Sequence, residues 1–191
     1  VMRALLAFAG VAGLAFAANA GTLYFSDLET NDGGWIETGF GDWEWGTPTV
    51  GPATAFSGEN VWGTVLGDLH SNSGADNTLS QTFDFTGWSN MTLSFYEWLN
   101  SGSNAFDKAT VRVNGDELYL ADGGPTADWR NVTLDLSAYD GLSSVEVVFN
   151  FFETTVVNRE GWYIDDIALN GVPAPGALAL LGLGFVARRR R

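Results

Sequence analysis

The sequence contains no cysteine and a single histidine, His70. Disulfides, zinc fingers, iron–sulfur clusters and thiol catalysis all require cysteine, so this chain uses none of them. With one histidine, a histidine-based metal site or a Ser-His-Asp triad is disfavoured. A hydrophobic core or a bound cation must therefore stabilise the fold.

Basic residues are scarce as well. The 191 residues include nine Lys and Arg against 23 Asp and Glu, which gives a net charge of −14. Five of the nine basic residues lie at the chain ends, whereas every acidic residue lies between Gly21 and Val172. That segment keeps four basic residues and carries about −19. Such a charge argues against nucleic acid and anionic membranes as partners, and it is compatible with calcium, which carboxylates bind.

No apolar run reaches the ~20 residues that a membrane-spanning helix usually needs. A shorter run covers residues 4–18, after Arg3 and before the small-x-small element Ala18-Asn19-Ala20. This order predicts a secretory signal peptide over residues 1–20, cleaved after Ala20. The alternative is a buried core helix, but the run has no amphipathic stripe.

The C-terminal end has three parts. Val172-Pro173-Ala174-Pro175 is followed by an apolar run over 177–187, about 11 residues long. The chain then ends in four arginines: Arg188, Arg189, Arg190 and Arg191. The arginines place that end in the cytoplasm and the preceding domain outside. A run too short to span comfortably suits a transient anchor, although an ordinary C-terminal membrane anchor is the alternative.

This tripartite end, residues 172–191, resembles the PEP-CTERM sorting signal, with Ala174 where that family usually has Glu. The resemblance implies recognition by an exosortase-type processing enzyme. It also implies a protein of the cell surface or extracellular matrix in a Gram-negative bacterium that makes extracellular polysaccharide.

Between the two ends, apolar and polar residues alternate with period two, and no helical stripe of useful length occurs. The predicted strands are 23–27, 61–66, 79–85, 91–98, 109–114, 117–120, 129–136, 145–152 and 162–169. Asn114-Gly115 predicts a tight hairpin turn, because both residues tolerate positive φ. The spacing predicts a single all-β domain over residues 21–171, a β-sandwich of the jelly-roll type.

The last predicted strand changes its alternation in the middle. Its apolar residues have even numbers before Asp165-Asp166 and odd numbers after it. One extra residue there, a β-bulge, returns the apolar residues to one face and turns a carboxylate inward. An inward carboxylate needs a cation or several donors. The alternative is a strand end that twists into solvent.

The same strand carries a family resemblance. Gly161-Trp-Tyr-Ile-Asp-Asp-Ile167 is similar to the closing strand of MAM-like jelly-roll domains, which include choice-of-anchor-J surface modules and a domain of immune-inhibitor-type metallopeptidases. Further pieces match in the same order: Ser26-Asp-Leu-Glu29 with Gly34-Trp35, Trp45-Gly-Thr-Pro48, Ser57 to Thr64, Thr92 to Trp98, and Leu134 to Tyr139. The resemblance covers nearly all of residues 23–169 and leaves the activity open.

The resemblance also implies a structural calcium ion that joins the first and last strands. Its acidic candidates are Glu29, from the opening motif, and Asp166 or Asp165, from the closing one. Asp107, before a predicted strand, is a further candidate, and Asp68 is a weaker one.

The sequence leaves two functional classes open, an enzyme and a binding or structural module. Glu97 and Glu153, on adjacent predicted strands, could form the acid pair of a glycosidase, but nothing indicates a cleft. Trp43 and Trp45 lie in a Gly-bordered segment and are candidates to stack on sugars, the alternative being that they fill the core. The core is the expected place for four other tryptophans: Trp35, Trp62, Trp98 and Trp162. We predict a non-enzymatic module that binds extracellular polysaccharide or another surface protein.

Overall fold

Strands dominate the chain because β-branched and aromatic residues alternate with polar ones between turn-forming glycines. The computed structural model describes residues 19–174 except 104, 122, 123 and 157. The strands of this part are β1 (Gly21–Ser26), β2 (Ile36–Thr38), β3 (Trp43–Gly46), β4 (Val61–Thr64), β5 (Asp76–Phe83), β6 (Trp88–Asn100), β7 (Lys108–Val113), β8 (Asp116–Leu120), β9 (Arg130–Asp135), β10 (Val145–Phe152) and β11 (Gly161–Pro173). A single 3₁₀ turn, Ser137–Tyr139, follows β9.

Two antiparallel sheets form the sandwich. The first sheet has the order β3-β4-β11-β6-β9, and β1 also pairs with β11. The second sheet has the order β2-β5-β10-β7-β8. Strands β9 and β8 are therefore the last strands on one side of their respective sheets. The predicted all-β jelly-roll sandwich is confirmed.

All nine predicted strands are present, and β10 has the predicted bounds. Sequence reasoning missed β2 and β3, because strands of three and four residues are too short to show an alternation. The predicted Asn114-Gly115 turn joins β7 to β8, with φ of 48° and 89° at its two residues. Both values lie in the left-handed region, where Asn and Gly are the residues best tolerated.

The main core lies between the two sheets. Phe95 of β6 meets Phe149 of β10 edge to face at 5.0 Å between ring centroids, which joins one sheet to the other. Trp162 of β11 packs against Phe149 at 5.7 Å. All three side chains are fully buried. Burial of a side chain of this size stabilises a fold by roughly 1.5–3 kcal/mol.

The predicted bulge in β11 is confirmed. The pairing of β11 with β6 shifts register between Asp165 and Ala168, and Asp166 has a φ of 47°. Ile164 before the bulge and Ile167 after it both lie in the main core. The extra residue has therefore placed the even-numbered apolar residues before the bulge and the odd-numbered ones after it on the same face of the strand.

A second, smaller core lies on the other side of the first sheet. The loop between β3 and β4, residues 47–60, folds over the outer face of that sheet. Ala55 from this loop packs with Val61, Leu66 and the fully buried ring of Tyr163. The outer face of the sheet is thus partly closed to solvent, and this loop determines what is exposed there.

The predicted signal peptide and sorting tail lie mostly outside the described residues. Ala18, Pro175 and the four terminal arginines belong to those parts, whereas Ala20 is exposed just before β1. Strand β11 continues into the predicted tail, since Val172 pairs with Ser89 and Pro173 with Trp88. Within residues 19–174, as far as they are described, no helix has the length and apolar character needed to cross a membrane.

Candidate functional site

The predicted ligand-binding tryptophans differ in their exposure. Trp43 is only 3% exposed, its indole N–H donates to the Asn77 carbonyl at 3.1 Å, and its ring lies 5.7 Å from Trp162. The prediction that Trp43 stacks on a ligand is therefore wrong, because its segment is a strand whose side chain enters the core. Trp45 is 39% exposed, and its indole N–H donates to the Leu28 carbonyl at 2.9 Å.

Three of the four tryptophans assigned to the core, Trp35, Trp62 and Trp162, are buried. Trp98 is half-buried and packs on the smaller core instead, where it meets Tyr163 edge to face at 5.5 Å. Its parity on β6 places it on the outer face of the first sheet.

The exposed aromatic surface comes from the 47–60 loop and its neighbours. Phe56 is 40% exposed and stacks on Tyr96 of β6, with ring centroids 3.4 Å apart and planes 12° from parallel. Trp129, just before β9, meets Phe56 edge to face at 6.4 Å and donates its indole N–H to the Thr54 carbonyl at 3.0 Å. We refer to Phe56, Tyr96 and Trp129 as the aromatic patch. Sequence reasoning missed it, because Phe56 lies in a loop with several Thr, Pro and Gly residues and no alternation.

Two carboxylates from the bulge of β11 hold the loop beside Phe56. The Ser57 N–H donates to Oδ2 of Asp165 at 3.0 Å, and the Ser57 hydroxyl donates to Oδ1 of Asp166 at 2.8 Å. The Asp166 N–H donates to Oδ1 of Asp165 at 2.7 Å. The ring of Phe56 is thus placed by hydrogen bonds to the residue that follows it.

Glu29 holds the other end of the same loop. Its Oε1 accepts N–H groups from Glu59 at 3.0 Å and from Asn60 at 2.8 Å. The space for this carboxylate exists because residue 58 is glycine, with a φ of 58°. A Cβ at Gly58 would lie 2.1 Å from Cδ of Glu29.

Asp165 is the carboxylate of the bulge that points inward, a choice between Asp165 and Asp166 that the sequence left open. Asp165 is fully buried and Asp166 is half-buried. The side chain of Asp165 enters the smaller core beneath the loop, since it shares a face with Tyr163. Burial raises its pKa to about 7, although the N–H donors of Ser57 and Asp166 oppose that rise. The alternative of a strand end twisting into solvent is wrong.

Asp107 belongs to a separate buried group at another part of the sandwich. Its Oδ2 lies 3.7 Å from Nε2 of His70, and its Oδ1 accepts the Thr154 N–H at 3.0 Å. Nδ1 of His70 lies 3.2 Å from Oε2 of Glu153. Burial alone lowers the pKa of His70, but its hydrogen bonds to Glu153 and to the Ser71 carbonyl outweigh that effect and raise it. Burial raises the pKa of Glu153.

The predicted calcium ligands are only partly brought together. Glu29, Asp165 and Asp166 meet at residues 57–60, whereas Asp107 lies with His70, and Asp68 is exposed and accepts the N–H of Leu69. The oxygen chemistry suits calcium, which also accepts carbonyl and water ligands. The carboxylates at the loop nevertheless use oxygens to bind N–H and O–H donors. Among the described side chains, no group of three or more His, Asp or Glu is arranged to hold a metal ion. The calcium site stays a prediction.

Glu97 and Glu153 do not form an acid pair on adjacent strands. Glu97 lies on β6 of the first sheet, whereas Glu153 follows β10 of the second. Both are fully buried. Glu97 accepts hydrogen bonds from Nε of Arg130 at 2.6 Å and from the indole N–H of Trp162 at 2.8 Å. Its oxygens are therefore committed to structural donors, which argues against a role as general acid or nucleophile.

One curated protein resembles the chain in sequence. Bacillopeptidase F of Bacillus subtilis (strain 168) is 37% identical over 153 residues, which are 77% of this chain and 10% of that protein. The chain thus spans about a tenth of the length of the curated relative that it matches. No family model matches the sequence.

Solved structures resemble the chain in fold. The K1 cleaved adhesin domain of Lys-gingipain from Porphyromonas gingivalis W83 has a TM-score of 0.54 at 18% identity, over 78% of this chain and 98% of that domain. A C-terminal family 22 carbohydrate-binding module from Clostridium thermocellum has a TM-score of 0.51 at 17% identity, over 81% and 96%. A xylan-binding domain from Paenibacillus barcinonensis has a TM-score of 0.50 at 18% identity, over 83% and 99%. At these identities the likeness is one of fold.

Proposed function

We propose that the chain is a non-enzymatic, exported module that binds extracellular polysaccharide through the aromatic patch. The observation that carries the proposal is Phe56, which is 40% exposed although it stacks on Tyr96. Aromatic faces held rigid on a sandwich offer large apolar area at little entropic cost, and sugar rings stack on them. Trp129 adds a second ring beside Phe56.

The fold supports this proposal without determining the ligand. Two of the structures with this fold are described as carbohydrate-binding or xylan-binding, and a third is described as an adhesin domain. Sandwiches of this kind therefore serve as accessory binding modules in other proteins. An adhesin that binds another surface protein is the alternative partner class for this chain.

The similarity to bacillopeptidase F does not carry a peptidase activity to this chain, because it covers about a tenth of that protein. Within the described residues, the hydroxyl of Ser71 lies 3.2 Å from both oxygens of Glu153. His70 is fully buried, and its Nδ1 bonds to Ser71 only through the carbonyl oxygen. This arrangement offers no activated serine. We infer that the matched region is a binding module in this chain.

Export and anchoring complete the proposal. Residues 1–20 act as the signal peptide, and residues 172–191 act as a PEP-CTERM-type signal that an exosortase-type enzyme processes. The mature module then lies at the cell surface or in the extracellular matrix. Free calcium there is available to Glu29, Asp165 and Asp166, whose carboxylates contact residues 57–60.

A glycan array tests the binding function. We expect the unaltered protein to bind polysaccharide with at best micromolar affinity, and Phe56→Ala and Trp129→Ala to lose that binding. Phe106→Ala is the matched control, because Phe106 is also 40% exposed but lies outside the aromatic patch. Equal binding by the Phe56 and Phe106 variants would contradict the assignment. Turnover of a glycoside, ester or peptide would overturn the non-enzymatic proposal.

A further inference from the structure

An open groove lies between β8 and β9, the last strands on one side of the two sheets. Its volume is about 340 Å³. The residues that line it are Tyr119, Leu120, Arg130, Asn131 and Val132. Leu120 is 42% exposed, and Asn131 is exposed as well. The groove therefore combines an apolar wall with donor and acceptor groups, which is the composition of a small-ligand subsite.

Arg130 is held rigidly at this groove. Its Nε donates to Oε1 of Glu97 at 2.6 Å, and its Nη2 donates to the hydroxyl of Tyr119 at 3.2 Å. The side chain of Arg130 is nevertheless 39% exposed. These two bonds use the Nε–Nη2 edge of the planar guanidinium, and Nη1 makes no hydrogen bond within the part of the chain that the structure describes. Because Arg130 lines the groove, we assign its second edge, with Nη1, to the groove. A fixed guanidinium edge offers two parallel N–H donors to a pair of neighbouring oxygens.

Glu97 explains why Arg130 has one orientation. Glu97 is fully buried and accepts hydrogen bonds from Arg130, Trp162 and the Tyr119 hydroxyl. A buried carboxylate costs several kcal/mol unless donors of this kind satisfy it, so the contact between Glu97 and Arg130 is costly to break. The consequence of the network in this chain is a preoriented arginine at the surface.

The groove and the aromatic patch lie on the two sides of the edge strand β9. Across the β6–β9 pair, Tyr96 lies opposite Asn131, and Glu97 lies opposite Arg130. Successive side chains of a strand point to opposite faces, so Trp129 lies on the outer face with Tyr96, whereas the next residue, Arg130, lies on the inner face with Glu97. Because β9 is the last strand on its side of the sheet, a ligand that stacks on the patch reaches the groove around the edge of β9.

We propose that the groove is a second subsite for the same glycan chain, in which Arg130 donates to two neighbouring hydroxyls of a neutral sugar. The proposal rests on the function proposed above and specifies its ligand class. Glu97 offsets the charge of Arg130, and residues 21–172 carry about −19 from 23 acidic and four basic residues, so a polyanionic glycan is repelled. The protein binds along the interior of a neutral polysaccharide, with at least one sugar on the patch and one in the groove.

An NMR titration of the ¹⁵N-labelled protein separates the two subsites. The probes are xylohexaose and β-1,4-galactohexaose, which are neutral, and hexagalacturonate, which is acidic. We expect a neutral hexamer to shift the Trp129 indole signal and the Arg130 guanidinium signals with the same dissociation constant. Hexagalacturonate should bind at least about tenfold more weakly, a difference of ~1.4 kcal/mol.

Leu120→Glu blocks the groove without disturbing the buried network, because a glutamate there competes for the free edge of Arg130. Leu142→Glu is its matched control, since Leu142 is 44% exposed and does not line the groove. We expect Leu120→Glu to weaken binding of the neutral hexamer about tenfold, the loss of roughly one or two hydrogen bonds. Leu142→Glu should leave the affinity unchanged. Arg130→Lys keeps the positive charge beside Glu97 but removes the paired N–H donors of the guanidinium, so it should weaken binding as Leu120→Glu does.

The outcomes distinguish this inference from the function on which it rests. A shift at Trp129 without one at Arg130, or equal affinities for the Leu120 and Leu142 variants, overturns the second subsite and leaves the patch. Tighter binding of hexagalacturonate overturns the neutral ligand class. No shift at Trp129 with any hexamer overturns the proposed function itself.

Discussion

At the scale of single residues, a few positions determine which surface the protein presents. Asp165 and Glu29, two of the predicted calcium ligands, accept backbone N–H groups of one loop. Trp43, a candidate for either ligand stacking or the core, is buried because the side chain of its strand enters the core, whereas Phe56 in the 47–60 loop is exposed. The contacts of Asp165, Glu29 and Phe56 follow from the path of this loop across the sheet. A residue in that loop has its environment set by partners distant in sequence.

Gly58 is the residue at which this arrangement is most sensitive. We expect Gly58→Ala to lower the free energy of unfolding, because its Cβ would displace Glu29 and so remove the acceptor of two N–H groups. Gly141→Ala is the control, with a φ of 74° and no atom within 4 Å of the added Cβ. In both variants the alanine is strained by ~1–2 kcal/mol, because its φ lies in the left-handed region. Gly58→Ala should lower the free energy of unfolding by about 1–3 kcal/mol more than Gly141→Ala does. Urea denaturation measures the difference, and equal values would show that Glu29 does not hold the loop.

At the scale of elements, β11 organises the domain. It pairs with β6 along one side, and on its other side with β4 before the bulge and β1 after it. Asp165 and Asp166 therefore lie where β1 replaces β4 as the neighbouring strand of β11. The 47–60 loop closes over the sheet at the same place. The parity switch in the sequence predicted the bulge. It could not predict the loop, because residues 47–60 have no periodic pattern.

Calcium acts at this same junction if the predicted site exists. We expect EDTA to lower the melting temperature and Asp166→Asn to reduce that sensitivity. A ligand at 100 times its dissociation constant stabilises a fold by about 2.7 kcal/mol, which shifts the midpoint of a domain this size by several degrees. Calorimetry with calcium and with EDTA makes the comparison, and superimposable curves would rule out a structural ion. Asp68→Asn is the control, since Asp68 is exposed and accepts only a neighbouring N–H among the described contacts.

At the scale of the whole molecule, the proposed surface location rests on the charge of the domain and on the predicted signals at the two chain ends. The acidic domain repels polyanions, and a non-enzymatic module with a neutral ligand is consistent with that field. Strand β11 pairs through Pro173 with β6, and the Ala174 N–H donates to the Gly87 carbonyl at 2.6 Å. Any processing of the tail should therefore occur C-terminal to Ala174, beyond the residues that pair with the first sheet.

The tail itself gives a prediction for the whole protein. We expect protein recovered from the extracellular fraction of its host to lack the arginine cluster, because the proposed exosortase-type processing would remove it. Intact-mass spectrometry measures the C-terminus directly. Replacement of Arg188–Arg191 by serine should disturb membrane orientation and leave the tail unprocessed. An extracellular form that ends in Arg191 would contradict the sorting assignment.

The sequence by itself determined the fold class, nine of the eleven described strands, the β7–β8 turn and the bulge in β11, because periodicity and turn chemistry are local properties. It also indicated that Asp165-Asp166 lies at a special position. Only the tertiary structure decided which carboxylate is buried, which aromatic rings reach solvent and that Arg130 lies beside Glu97 at a groove. Those facts depend on contacts between residues 33 to 108 positions apart, for which a single sequence holds no local signal.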